Sequence, residues 1–369
     1  MKVTMPTAHL LEAVGHAAAV ASSKSTKPIY ECVALRAERA TGLSLEATDL
    51  DVGLRVHVDD SRTEIEGAVA IPAARLLAIA REIEEDETTL ATSDRGLEIS
   101  TAGSRFTVRH ESLEEFPAVA RFPSETPVRL PGAIVRDMVR RTAFAAAREP
   151  GRFALHGIQI TVGPKRLRMV ATDGRRLAHI ERDLPGGGPK EPLTLLVGPK
   201  ALLLLERALG TGLQGDLELA LVDRQLLARV GGLLVTSRLI DGSFPAVEGV
   251  IPAAPPHPLV VGVAALSAGL RRASLLTTRD SLSVEVQIGP DGMQIRSRAQ
   301  ELGEAQVDVD VRYDGPALRV GFNPAYIQDA LKVMDPASDV QVGLADAKSP
   351  ARISDQEDYV YVVSPVSLE

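Results

Sequence analysis

Leu43-Ser44-Leu45-Glu46-Ala47-Thr48-Asp49 recurs 124 residues on as Leu167-Arg168-Met169-Val170-Ala171-Thr172-Asp173. Both stretches alternate apolar side chains and end on Ala-Thr-Asp, the pattern of a strand running into a tight turn. A second pair, Phe116-Pro117-Ala118-Val119 and Phe244-Pro245-Ala246-Val247, repeats at nearly the same offset, 128 residues. Two matches at one period mark an internal repeat, and the repeat governs how everything else is read.

A third, fainter copy completes the chain. Each third opens with a helix-period segment, Met5–Val20, Leu130–Arg148 and Val263–Thr278, with apolar residues three and four apart as at Ile134, Val135 and Met138. Each then carries a second helix introduced by proline, at Ile71-Pro72-Ala73, Gly198-Pro199-Lys200 and Asn323-Pro324-Ala325. Proline suits a first helical turn, where its missing N–H would have no partner. Between the helices lie period-2 stretches: Val52–Asp60, Leu167–Thr172, Gln306–Tyr313 and Asp358–Val363. The expectation is an α+β protein of three tandem, structurally similar domains, spanning 1–125, 126–254 and 255–369. Linkers fall at Ala120–Val128 and at the proline-dense Pro252–Pro258, and the acidic run Arg81–Thr89 reads as a solvated loop.

Composition narrows the function. The 369 residues are 45% hydrophobic and 24% charged, an ordinary globular balance. No apolar run approaches the ~18 residues of a membrane helix, and Met1-Lys2-Val3-Thr4 lacks the plan of a signal peptide. The single cysteine, Cys32, rules out an internal disulfide framework, fits a reducing cytoplasm, and reads as a buried structural thiol. A net charge of −8 argues against a protein that holds nucleic acid by bulk charge, although one face can still be basic.

Catalytic signatures are missing. Pro185-Gly186-Gly187-Gly188-Pro189-Lys190 lacks the ending of a phosphate loop and reads as a hairpin loop. The seven histidines are scattered without zinc spacing, so neither metal nor cofactor is expected. Asp173, in Thr172-Asp173-Gly174, has a repeat partner in Asp49. That favours turn chemistry over catalysis, since an active site needs one copy only.

Those residues also carry a resemblance. Ala171-Thr172-Asp173-Gly174-Arg175-Arg176-Leu177-Ala178 resembles the second-domain motif of the bacterial DNA polymerase III β subunit, the sliding clamp family. The likeness continues in Arg152-Phe153-Ala154-Leu155-His156-Gly157, in Thr236–Pro245 and in Tyr361-Val362-Val363-Ser364-Pro365, and covers the full length. It implies a head-to-tail homodimeric ring of three-domain subunits, with helices lining the hole and sheets outside. Such a ring encircles duplex DNA without reading sequence, and confers processivity on the replicative polymerase rather than catalysing anything. The implied partners are duplex DNA, a second copy, and the polymerase α subunit, clamp loader and repair polymerases through short peptides. The implied location is the cytoplasm, in association with the nucleoid. Two other readings stand beside this one: a paralogous decoy or drug-tolerant clamp that binds partners poorly, and an uncharacterised cytosolic enzyme on a three-domain scaffold.

Three residue sets follow. For DNA, the first helices of the second and third units carry Arg136, Arg140, Arg141, Arg148, Arg271, Arg272 and Arg279 against few acids, a bias that suits a phosphate-facing lining. Lys24 and Lys27 lie in the loop after the first helix, and the resemblance places DNA contacts at Lys24, Arg152 and Phe153. For ring closure, it places Phe106 and Val108 of one subunit against Leu275 and Leu276 of the next. For partner peptides, it gives a groove walled by Leu155, Thr172, Gly174, Arg175, Arg176, Leu177, Pro245, Val250, Tyr326, Val362, Ser364, Pro365 and Val366. The tail Ser364-Pro365-Val366-Ser367-Leu368-Glu369 departs from the family's Met-Pro-Met-Arg-Leu ending, and Gly249 stands where many relatives carry arginine. A groove shallower on its tail side is therefore expected.

Overall fold

The computed structural model describes the chain except residues 22–24, 26, 124–127, 149–152, 211–214, 278–282, 300–301, 356–357 and 369, and the side chain of Phe153. The first repeat runs β1 (Lys2–Pro6), α1 (Thr7–Val20), β2 (Cys32–Glu38), β3 (Gly42–Thr48), β4 (Val52–Val58), β5 (Arg62–Ile65), β6 (Gly67–Pro72), α2 (Ala73–Glu82), β7 (Glu87–Ser93), β8 (Gly96–Ser100) and β9 (Arg105–Val108). The second runs β10 (Val128–Pro131), α3 (Gly132–Thr142), β11 (Ile158–Val162), β12 (Arg166–Thr172), β13 (Arg176–Asp183), β14 (Leu193–Val197), α4 (Pro199–Gly210), β15 (Asp216–Val222), β16 (Gln225–Val230) and β17 (Leu233–Arg238). The third runs β18 (Leu259–Gly262), α5 (Val263–Ala273), β19 (Val284–Gly289), β20 (Gly292–Ala299), β21 (Gly303–Val309), β22 (Leu318–Phe322), α6 (Pro324–Leu331), β23 (Asp339–Gly343), β24 (Ala351–Ser354) and β25 (Tyr359–Val363).

The strands pair by one rule applied three times. Each repeat supplies two antiparallel four-strand sets, β6-β2-β3-β4 with β1-β7-β8-β9, then β14-β11-β12-β13 with β10-β15-β16-β17, then β22-β19-β20-β21 with β18-β23-β24-β25. Only the first repeat adds a strand, β5, beside β1. The last strand of one set pairs with the last strand of a set from the following repeat. Thus β4 pairs β17 and β13 pairs β25, fusing two eight-stranded sheets. By compactness the chain divides into one unit of residues 1–136 and 200–239 and another of 137–199 and 240–369, so the central repeat is shared between them.

Local chemistry explains the element ends. Pro72 sits at the N-cap of α2, while Pro199 opens α4 and Pro324 opens α6. Asn323 caps α6 by accepting the Ala325 N–H at 3.0 Å. The helices expected to reach Arg148 and Thr278 stop earlier, at Thr142 and Ala273, and tighten into single 3₁₀ turns at Ala143–Ala145 and Ser274–Leu276. At both ends a hydroxyl turns back on the helix: Thr142 Oγ1 donates to the Met138 carbonyl at 2.8 Å and Ser274 Oγ to that of Leu270 at 2.6 Å. Two loop readings are corrected. The acidic run is a loop only over 83–86, since Thr88 is fully buried in β7 and bonds Thr7 Oγ1. The glycine-rich Pro185–Lys190 is a crossover, because β14 pairs with β11 on the far side of the set. Backbone bonds from Leu184 to Lys165 and from Gly188 to Pro164 fasten that crossover to the β11–β12 turn.

Cys32 is buried in β2, and burial pushes its thiol up to about 11, with the nearby Glu111 and Glu31 adding to the shift. Among the described residues no helix is long and apolar enough to cross a membrane.

Candidate partner groove

The turn between β12 and β13 anchors the site. Thr172 Oγ1 donates to the Arg176 carbonyl at 2.6 Å and accepts the Gly174 N–H at 3.1 Å. Asp173 Oδ1 accepts the Arg175 and Arg176 N–H groups at 2.9 and 3.0 Å. The turn needs a left-handed residue at its tip, and Gly174 supplies it at φ +86°. Both residues called from the repeat are thus spent on turn geometry.

The turn delivers Arg176, 8% exposed, into a polar hub. Its guanidinium donates to Asp173 Oδ2 at 3.0 Å, to Asp329 Oδ2 at 2.9 Å and to the Phe144 carbonyl at 2.8 Å. It also lies over the Tyr326 ring, 4.7 Å from the centroid, and over Phe144 at 5.6 Å. Burial opposes the charge, but the Asp329 hydrogen bond and its neighbours more than offset it, so Arg176 is held more strongly protonated than usual. Asp329 answers in the other direction: burial alone would raise it, and the bonds from Arg176 and Lys332 hold it below the ordinary carboxylate value. Tyr361 is raised by burial and donates its hydroxyl to the Tyr326 carbonyl at 2.8 Å. A cavity of about 220 Å³ opens over the hub, lined by Ala146, Ala147, Arg148, Asp173, Arg175, Arg176, Tyr326 and Asp329.

An apolar floor adjoins these residues in sequence. Leu177 pairs with Val362 across β13 and β25, and both join Val170 and Val247 in a buried cluster with Phe244, Ile251 and Val360 packed on it. Pro245 and Val250 stay exposed on the same 244–251 segment, and Leu155 is half-buried in a 3₁₀ turn. Past β25 the Ser364 N–H donates to the Arg175 carbonyl at 2.8 Å, and the Val366 N–H to Gly321 at 2.9 Å. Leu368 lies so close to Gly321 that a side chain there would strike it. The tail therefore packs along β22 of its own repeat.

Three family models tile the chain: the DNA polymerase III beta subunit N-terminal domain over residues 1–120, the central domain over 129–246 and the C-terminal domain over 248–367. The chain belongs to the DNA polymerase III beta subunit family. It is 30% identical over 372 residues to the beta sliding clamp of Vibrio cholerae, with both chains fully covered. The beta subunit structure from Thermotoga maritima superposes with a TM-score of 0.91 at 25% identity, over all of both chains. That of the Pseudomonas aeruginosa sliding clamp bound to griselimycin gives 0.88 at 30%, again with full coverage. The three tandem domains are thus those of the DNA clamp fold, and the function is that of a DNA sliding clamp, a non-catalytic processivity subunit.

The remaining residues singled out in this beta subunit fall in varied settings. Lys24 and Arg152 lie outside the described residues, as do Arg279 and the side chain of Phe153. Lys27 is exposed, 3.8 Å from Glu115. Arg136 lies 3.8 Å from Glu206, and Arg140 lies 3.7 Å from Asp137 and donates to the Val333 carbonyl. Arg148, Arg271 and Arg272 are exposed. Arg141 departs from the expected lining: it is buried and bonded to Asp137 and Asp355, with its guanidinium over Tyr359. A helix face rich in arginine hides this, because Asp355 lies 214 residues away in sequence. On β9, Phe106 is half-buried and Val108 is 8% exposed; in the 3₁₀ turn after α5, Leu276 is half-buried and Leu275 is 75% exposed.

Sequence reasoning missed Asp329, Phe144 and Tyr361 as parts of the hub. The family likeness reached α6 through Tyr326 alone.

Proposed function

We propose that two copies of this chain close head to tail into a ring around duplex DNA, and that each offers one groove to short peptides of replication and repair proteins. The observation carrying the ring is the pairing rule. It joins β4 to β17 and β13 to β25 and leaves one strand of each kind over: β21 of the third repeat and β9 of the first are both sheet edges. Unlike edges at the two ends of a repeating array suit a heterologous contact, which closes when the rotation permits. Phe106 and Val108 ride on β9, and Leu275 and Leu276 follow α5, which packs on β21. Leu275→Ala with Leu276→Ala should convert the dimer to folded monomers in sedimentation; an unchanged dimer would remove these residues from the junction.

The DNA contacts we assign are Lys24, Lys27, Arg136, Arg140, Arg148, Arg152, Phe153 and Arg272, non-specific and salt-sensitive as phosphate contacts are. Glutamate at Lys24 and Arg152 should weaken loading onto primed DNA without touching the oligomer. The working location is the cytoplasm, at the nucleoid.

For the groove, we assign the walls as Leu155, Thr172, Gly174, Arg175, Arg176, Leu177, Pro245, Val250, Tyr326, Val362, Ser364, Pro365 and Val366. An apolar cluster beside a polar hub suits a peptide with apolar anchors and a polar lead residue. Two anchors at about 2 kcal/mol each, plus polar contacts, support micromolar binding, on the order of −7 to −8 kcal/mol. Because Val366 and Leu368 are occupied with β22, removing Ser364–Glu369 strips one wall and leaves the floor. Calorimetry with a peptide carrying glutamine, leucine and an aromatic should give micromolar binding to the full chain and none to the truncation. Equal affinity would exclude the tail, and no binding by either would favour a decoy clamp. Primer extension on a circular template, with cognate loader and polymerase, tests the whole reading.

A further inference from the structure

The junction of the first and central repeats carries a site of opposite chemistry. A cavity of about 420 Å³ opens over β2, β3, β4, β16 and β17. One register row crosses it: Glu46 faces Arg55, Arg55 faces Leu234, Leu234 faces Arg229, and Arg229 faces Glu218. Glu46 is buried and serves two guanidiniums, Arg55 at 2.7 Å and Arg36 at 3.2 Å. Glu218 likewise serves Arg229 and Arg129. Among the described residues lining the cavity, the arginines Arg36, Arg55, Arg121 and Arg229 face two acids, Glu46 and, at the rim, Glu38. In a chain of net charge −8 this is a local positive surplus. Arg55 and Arg229 sit two strands apart, about 10 Å, with only Leu234 between, so one acidic side chain between them reaches both.

The chain itself demonstrates what this surface accepts. The 116–123 segment lies against it, its Val119 carbonyl accepting from Arg55 at 3.1 Å and its Phe122 ring under Arg229 at 4.3 Å. Arg229 and Arg36, at 43% and 39% side-chain exposure, remain open to a second occupant, while Arg55 is 18% exposed. Phe122, the one aromatic here, already has a cation on its face, so it makes a poor platform for base stacking. Glu38 and Glu46 would repel a polyphosphate backbone, whereas a peptide brings N–H donors for them and for Thr41 and Ser44.

We propose that this junction is a second docking surface, which takes an extended acidic peptide segment from a partner protein and is separate from the apolar groove. The test is fluorescence anisotropy on the full chain with a labelled peptide of alternating glutamate and serine, a glutamine counterpart, and pyrophosphate and oligothymidylate as competitors. The glutamate peptide should bind saturably and more weakly as salt rises, the glutamine peptide should not bind, and Arg121→Ser with Arg229→Ser should lower affinity about tenfold or more. Binding of the groove peptide should not change in that variant. Should the double variant melt early, exposed Arg121→Ser alone still reports, with about a threefold loss. Equal binding by glutamate and glutamine peptides, or undiminished binding by the variants, overturns the proposal. Displacement by pyrophosphate at lower concentration than unlabelled peptide reassigns the site to small anions, and preference for oligothymidylate reassigns it to nucleic acid; either result also overturns it.

Discussion

The turns at 48–52 and 172–176 are built alike, yet one borders an apolar groove and the other a charged junction. In both, a threonine hydroxyl bonds the carbonyl four residues on, and an aspartate oxygen gathers two N–H groups. Beyond the turns the side chains part company. Val170, Leu177 and Val362 in the second unit correspond to Glu46, Gly53 and Thr236 in the first, by the repeat offset and by register. Gly53 has no room to be leucine: a Cβ there would stand 2.6 Å from Thr236 Oγ1 and 3.3 Å from Val119. Val119, the repeat counterpart of Val247, packs directly against that glycine. One scaffold thus hosts either an apolar or a charged surface, depending on three positions, and backbone architecture alone does not make a binding site.

Transplanting the charge should break the comparison most violently. Val170→Glu puts a carboxylate into an apolar cluster whose cross-strand neighbours are Gln159 and His179, and should cost the second unit about 4 kcal/mol or more. The reverse change, Glu46→Val, leaves two arginines that reach solvent and should cost only about 1–2 kcal/mol. Urea denaturation of the two variants measures the difference; equal losses would mean that the arginines do not support Glu46.

The second aspartate oxygen offers the next test. Asp173 gives it to buried Arg176, whereas Asp49 gives it to Lys200 at 2.6 Å, on a side chain 42% exposed. Arg176→Ala should cost about 3 kcal/mol and collapse the cavity over Tyr326, while Lys200→Ala should cost less than about 1 kcal/mol.

Smaller still is the effect at the turn tips. Leu50 holds φ +80° where its counterpart is Gly174 at +86°. Gly174→Ala should lose about 1 kcal/mol, and Leu50→Gly should be neutral or slightly stabilising, because relieved strain offsets added unfolded-state freedom. Thermal melts of the pair decide it.

Acidification should affect both units in parallel. Burial, then the charge of Arg207, lowers His16 in the first unit; burial, then Arg168, lowers His179 in the second. A histidine held neutral by the fold binds fewer protons than its unfolded form. Its contribution is full above the ordinary value of 6.5 and is lost as pH falls below it. His16→Gln should therefore spare the α1 amides, but not those of β13, from a fall in hydrogen-exchange protection between pH 7 and 5, with rates corrected for intrinsic exchange. The Asp329 contribution persists in that range, since it is lost only as pH falls below the ordinary 3.8.

Much of this was legible. Proline spacing located all three second helices, and the recurring Ala-Thr-Asp located both turns, because these are local signals with local causes. What stayed hidden depends on partners far apart in sequence. Arg141 read as part of a phosphate-facing lining until Asp355 was beside it, and nothing local marked Glu46 as the partner of Arg36 and Arg55. The glycine run 186–188 looked like a hairpin because turn composition says nothing about which strand comes next in space. The groove walls came from family likeness rather than from periodicity, which cannot distinguish the apolar surface from the charged one in the other unit.

The joining of β4 to β17 has a consequence in time. β4 emerges from the ribosome about 180 residues before its partner, and at ~5–20 residues per second that leaves its edge uncovered for roughly 10–40 seconds. A bare strand edge invites pairing with neighbouring nascent chains, and cationic side chains along it are a known deterrent. Arg55, in the middle of β4, therefore guards the unfinished sheet during synthesis, before β17 covers that edge.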